Sequence, residues 1–173
     1  MEHRSKGMKI WITTVGKSVY AVVNTLWAAC KEEGYIPERI YFIYNDEVKE
    51  NLGRVKKIAK ALVESYGAEN PETIEIKAEE TNFTEFAKKL GEIIKKEKAL
   101  GNEVAVDMTP GRKFMSAFAM YSGVSKEVRY RADRIYYLHL SDFRYVDKAY
   151  PKIPFNKQKL YEMKRSLGIL NDF

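Results

Sequence analysis

Hydrophobic positions along this chain switch repeatedly between two spacings. Residues 8–15 carry Ile10, Ile12 and Val15 beside Trp11 and two threonines, a run rich in β-formers. From Ser18 the period changes. Val19, Val22, Val23, Leu26, Trp27 and Cys30 recur three and four residues apart, which predicts one stripe of an amphipathic helix ending before Gly34. Residues 39–44 (RIYFIY) are almost wholly apolar and aromatic, as in a strand covered on both faces. Asn45 or Asp46 can cap the next helix, whose stripe is Leu52, Val55, Ala59, Leu62, Val63 and Tyr66, with Gly67 as its stop.

The second half repeats the alternation. Residues 73–77 (TIEIK) predict a third, less buried strand, and Asn82 with Glu85 forms a capping pattern for a helix carrying Phe86, Leu90, Ile93 and Ile94. Gly101-Asn102 closes that helix, Val104-Ala105-Val106 supplies a fourth strand, and Phe114, Met115, Phe118 and Met120 lie on a fourth helix. Residues 135–140 (IYYLHL) form a fifth strand, which Ser141-Asp142 turns toward residues 143–146 as an antiparallel hairpin partner. A last helix is expected over 156–167.

Four βα units followed by a hairpin predict an α/β fold: a Rossmann-like three-layer domain with a mainly parallel sheet and a C-terminal antiparallel hairpin. The expected organisation is a disordered leader over 1–7, the Rossmann-like domain over 8–150, and a basic helical segment over 151–173 packed on it. Ligands of such sheets bind where the strands end and the βα loops gather. The search for chemistry therefore narrows to residues 13–18, 44–47, 78–83 and 107–113.

The last of these loops is the most informative. Asp107-Met108-Thr109-Pro110-Gly111-Arg112-Lys113 leads from a buried-looking strand into a helix. Thr109 can cap that helix, Pro110 suits its first position, and Gly111 allows close backbone approach. The N–H groups and positive dipole end of a helix start suit a phosphate. Arg112 and Lys113 stand where that dipole disfavours cations, an arrangement relieved by a bound anion, or else by their pointing into water. Asp107 can hold either cation or a ribose hydroxyl.

The first loop, Thr13-Thr14-Val15-Gly16-Lys17-Ser18, ends like a P-loop, but the glycine required five residues before Gly16 is Trp11. It is instead a short polar turn, whose hydroxyls contact a ligand edge or, at Ser18, simply cap the helix. Asn45 and Asp46 after the second strand can read a ribose or base, or serve as caps. His139 alternates with bulky strand residues and reads as a core histidine, while His3 lies in the leader. No carboxylate, His or Cys spacing suggests a metal site, and no cofactor is expected.

Composition narrows the class. Apolar residues make up 45% and charged residues 31%, which indicates a globular chain, and no apolar run is long enough to span a membrane. Residues 1–7 lack the apolar core of a secretory signal, and the single cysteine, Cys30, excludes a disulfide framework. A cytoplasmic location is expected. The formal charge of +6 leans toward an anionic partner. Lys148, Lys152, Lys157, Lys159, Lys164 and Arg165 fit a solvated helix or a nucleic-acid patch equally well, so direct DNA or RNA binding stays open. The fourth helix, apolar nearly all round from Phe114 to Tyr121, is expected to bury its second side against a partner subunit or under the C-terminal segment.

The segment from Asp107 to Lys113, continuing into Met115-Ser116, together with the polar turn over 13–18 and the element order, resembles the CRISPR-associated Rossmann-fold (CARF) family. The resemblance implies a homodimer, here through helix 112–125, whose paired loops hold a cyclic oligoadenylate. It implies phosphate and ribose contacts from Thr109, Gly111, Arg112 and Lys113, faced by Thr14, Gly16 and Ser18, with Thr13, Val15, Lys17, Asn45, Asp46, Met108 and Pro110 completing the site. Many relatives carry a glycine in place of Pro110 and a small residue in place of Arg112. Only 27 residues follow Val146, too few for the effector such domains usually carry. That points to a stand-alone member which destroys its signal as a metal-independent ring nuclease, with Lys113 and Arg112 stabilising charge and Ser18 or Thr14 orienting the ribose. The alternative is a sensor that regulates a separate protein or nucleic acid.

Overall fold

The computed structural model describes residues 7–79 and 81–169. The expected leader falls, but for Gly7, outside the described residues. Six strands form one sheet: β1 (Lys9–Thr14), β2 (Arg39–Tyr44), β3 (Glu72–Lys77), β4 (Glu103–Asp107), β5 (Arg134–Leu140) and β6 (Gln158–Glu162). Their order across the sheet is β3-β2-β1-β4-β5-β6. The first five run parallel, and β6 lies antiparallel to β5 with Tyr137 opposite Tyr161 and His139 opposite Lys159.

Side-chain alternation along these strands builds two cores. Trp11, Ile40, Phe42, Ala105 and Tyr136 face helices α1 (Val19–Glu33) and α2 (Lys49–Ser65). Ile10, Ile12, Tyr41, Ile43, Val104, Val106 and Ile135 face α3 (Phe83–Ala99) and α4 (Lys113–Gly123). Burial on both faces explains why β1, β2 and β4 read as nearly continuous apolar runs. The predicted caps form at α1 and α3: Ser18 Oγ accepts from Ala21 N, and Asn82 Oδ1 from Glu85 N. Gly34 and Gly101, in the left-handed region, follow the two helices.

A buried polar knot locks the N-terminal end of the sheet. Glu97 of α3 is fully buried and receives Arg39 Nη1 at 2.8 Å, Asn102 Nδ2 at 2.6 Å and the Tyr41 hydroxyl. Arg39 also pairs with Glu72 at 2.6 Å, which ties β2 to β3 and α3.

Three expectations are corrected. Residues 143–146 do not pair with β5: Phe143–Tyr145 is a 3-10 turn capped by Asp142, and the antiparallel partner is β6. The helix expected over 156–167 is therefore mostly strand, with only Met163–Ser166 helical as α5. The open edge of β5 supplies hydrogen-bond partners that outweigh a weak helical pattern, and the Glu162 carboxylate pins the junction by accepting from Ile135 N and Arg165 N. His139 is exposed, not core, and its Nδ1 lies 3.2 Å from the Tyr137 hydroxyl. Helix α4 buries Met115 and Ala119 against the sheet, half-buries Phe114, Phe118 and Met120, and in the single chain leaves Tyr121 66% exposed.

Candidate functional site

The sheet order reverses between β1 and β4, and there the loops leaving the two strands part to opposite faces. A cleft of about 400 Å³ opens at this point. Its walls are Val15, Gly16, Lys17 and Ser18 after β1, and Asn45, Glu47 and Val48 after β2. Thr109, Pro110, Gly111 and Arg112 after β4 complete it, with Ala21 and Met115 from the first turns of α1 and α4.

Local chemistry shapes each wall. Val15 N donates to Ile43 O at 2.8 Å, so β1 stays paired until the turn begins. Asn51 of α2 donates from Nδ2 to Gly16 O at 3.2 Å and Lys17 O at 3.0 Å, clamping the turn from outside. Asn45 Oδ1 accepts from Val48 N at 3.2 Å and caps the 3-10 turn Asp46–Val48 that leads into α2. Gly111 has φ +90, and a Cβ there would stand 2.9 Å from Met115 Sδ and 3.2 Å from Thr14 Cγ2. Only glycine lets the third loop press this closely on the first.

The start of α4 differs from the expected one. Thr109 does not cap it; its hydroxyl oxygen accepts from Leu138 N at 2.9 Å and fastens the loop to β5. The helix begins at Lys113, after Arg112 in extended conformation, with no side-chain cap. The positive dipole ends of α1 and α4 thus border one cleft, beside the exposed side chains of Lys17 and Arg112. An elongated anion suits this setting, because helix N–H groups and cations approach it from two sides.

Asp107, Thr13 and Thr14 lie beneath the cleft rather than in it. Asp107 is 2% exposed, accepts from Thr13 Oγ1 at 3.1 Å and from Thr109 N at 2.9 Å, and so holds neither Arg112 nor Lys113. Burial pushes its carboxyl up to about 7, against those hydrogen bonds. Thr14 is buried under Gly111, and Met108 is half-buried, its carbonyl accepting from Ser116 Oγ at 2.7 Å. Asp46 turns outward to Lys77 at 2.7 Å, and Lys113 is exposed but not among the residues that line the cleft. Glu47, inside the 44–47 loop but given no role from the sequence, has its Oε2 4.0 Å from Arg112 Nη2, and Asn51 was missed. A helix-disfavouring asparagine near the start of α2 was the available signal for the second.

Among the described residues, no group of three or more His, Cys, Asp or Glu side chains is placed to hold a metal, and no helix is long and apolar enough to cross a membrane.

The family model of the Card1 CARF domain matches residues 5–169. The chain belongs to this family. As a CARF domain it shares its fold with Enterococcus italicus Csm6 bound to cyclic hexa-2'-fluoro-hexa-dAMP, at TM-score 0.59 and 13% identity over 93% of this chain. A type III CRISPR defence DNA nuclease activated by cyclic oligoadenylate aligns at TM-score 0.53 and 16% identity over 79% of this chain. The CARF domain described here spans 43% and 19% of those two chains. No curated protein sequence matches it.

Proposed function

We propose that this protein binds a cyclic oligoadenylate, in the cytoplasm and as part of type III CRISPR signalling, and cleaves the ring without a metal. The observation that carries the reading is the cleft at the strand-order reversal, where the starts of α1 and α4 and the cations Lys17 and Arg112 converge. Family membership and the ligands named for the two structural relatives support the binding part of this reading. A ring of four or more adenosines outsizes a single cleft, so two copies would share it, paired through α4 and its half-buried Phe114, Phe118 and Met120.

Cleavage needs no nucleophile from the protein. A ribose 2′-oxygen attacks the adjacent phosphorus, its proton departs, the P–O5′ bond breaks and O5′ takes up a proton. The products are a 2′,3′-cyclic phosphate and a 5′-hydroxyl. Arg112 and Lys113 would stabilise charge on the phosphorane, and Ser18, whose Oγ accepts from Ala21 N, retains its own hydroxyl proton to orient the ribose. Thr14 would act from below, through the position of Gly111.

A non-catalytic sensor is the second reading. It is favoured by the placement of Lys113 outside the lining of a single cleft, which leaves Arg112 and Ser18 as the cleavage residues that line it. Incubation with cyclic tetra- and hexa-adenylate in chelator, followed by chromatography, decides between them. Linear products that disappear in Arg112→Ala and Lys113→Ala establish cleavage; tight binding without turnover establishes the sensor. Failure to bind either ring removes both.

A further inference from the structure

We propose that Glu47 reads the ribose 2′-hydroxyl next to a bound phosphate, and so makes the cleft selective for ribonucleotide rings. The inference rests on the cyclic oligoadenylate reading above and names a specificity residue within that site.

The loop after β2 carries two neighbouring acids, and the fold treats them differently. Asp46 is drawn outward to Lys77 of β3 at 2.7 Å. Glu47 lines the cleft, held there by the 3-10 turn that Asn45 caps. A carboxylate is out of place in a site built only for phosphates, because it repels them. Its nearest cation is Arg112, at 4.0 Å, beyond hydrogen-bond reach, and both side chains are 60% exposed. The Glu47 oxygens therefore remain open to a ligand, and a carboxylate can only accept. On a nucleotide ring the groups suited to it are donors, and the sugar's donor is the 2′-hydroxyl.

Position supports this choice. In a doubly wound sheet with this strand order, phosphate sits at the glycine turn after β1, and an acid after β2 accepts from the sugar hydroxyl. Gly16–Ser18 and Asn45–Glu47 occupy those two stations here. The spacing to Arg112 fits as well. A ribose 2′-oxygen and the 3′-oxygen bearing the phosphodiester sit on adjacent carbons, so their acceptor and their cation must be neighbours, as Glu47 and Arg112 are.

The test compares cyclic tetra-adenylate with its all-2′-fluoro counterpart, which keeps ring, charge and base but has no 2′-donor. Affinities for both would be measured by calorimetry on the wild type, Glu47→Gln and Glu47→Ala, with a thermal melt to confirm folding. The wild type should bind the hydroxyl ring about tenfold or more tightly over the fluoro ring. Glu47→Ala should bring that ratio close to one by weakening the hydroxyl ring alone, and Glu47→Gln, which keeps a neutral acceptor, should fall between. If Glu47→Ala tightens both rings equally, Glu47 only offsets Arg112 and the assignment is overturned. An unchanged ratio overturns it too. A wild type that binds neither ring removes the functional reading itself, and this assignment with it.

Discussion

The Thr13 hydroxyl donates to Asp107 Oδ2 at 3.1 Å, joining the ends of β1 and β4 across 94 residues of chain. The other carboxylate oxygen accepts from Thr109 N at 2.9 Å, so one buried side chain sets the floor on which two of the three cleft loops stand. The Asp107 carboxyl itself does not line the cleft.

The burial of Asp107 gives stability a pH dependence of defined sign. Burial raises the Asp107 carboxyl from its ordinary 3.8 to about 7, so the native state holds its proton where the unfolded chain has lost it. The contribution is fully present below the unfolded value and is lost as pH rises through about 7. Asp107→Asn keeps the shape and removes the titration. Urea unfolding between roughly pH 4 and pH 8 should show the wild type losing on the order of 4 kcal/mol more than the variant. Parallel curves would contradict the assignment.

Gly111→Ala should destabilise the protein by about 1–3 kcal/mol and weaken ligand binding together. The new Cβ meets Met115 Sδ at 2.9 Å and Thr14 Cγ2 at 3.2 Å, in a backbone conformation with φ +90. Methionine can bend aside, but the β-branched threonine has little freedom. Thermal denaturation and ring affinity, measured on the same sample, test this.

Asn51→Leu should separate binding from stability. Its two hydrogen bonds, to Gly16 O and Lys17 O, hold a surface turn, so unfolding should shift by less than about 1 kcal/mol. Affinity for cyclic tetra-adenylate should still fall severalfold as the turn loosens. A variant that binds like the wild type would show that the turn needs no clamp.

Glu97→Ala strikes the fold far from the cleft. It strands the Tyr41 hydroxyl and removes one of the two carboxylates on Arg39, at a cost of about 3 kcal/mol in chemical denaturation. Burial alone would raise the Glu97 carboxyl, but Tyr41, Asn102 and Arg39 outweigh it and hold it below the ordinary 4.5. Wild-type stability from this knot is therefore present above that value and drains away as pH falls below it, a slope the variant should lack.

Much of this architecture was legible in one dimension. The change from strand to helix spacing at Ser18, Asn45 and Asn82 marks real boundaries, because a buried face and a side-chain cap are local properties. The close turn at Gly111 was likewise visible as a glycine between a strand end and a helix start. The C-terminal third was harder to read. Residues 158–162 carry no strong strand signal, since an edge strand covered on one side tolerates lysine and glutamate.

The sequence by itself determined the α/β class, the order of the first five strands and four helices along the chain, and three of the loops that border the cleft. Only the tertiary structure decided which strand closes the sheet, that Thr109 serves β5 rather than α4, and that Glu47 rather than Asp46 or Asp107 faces the cleft. Each of those outcomes turns on a partner distant in sequence: the free edge of β5, Leu138 N, Lys77 or Thr13. Periodicity records which side of an element is buried. It carries no record of which distant group will claim a given donor or acceptor, and that competition is settled only when the chain is packed.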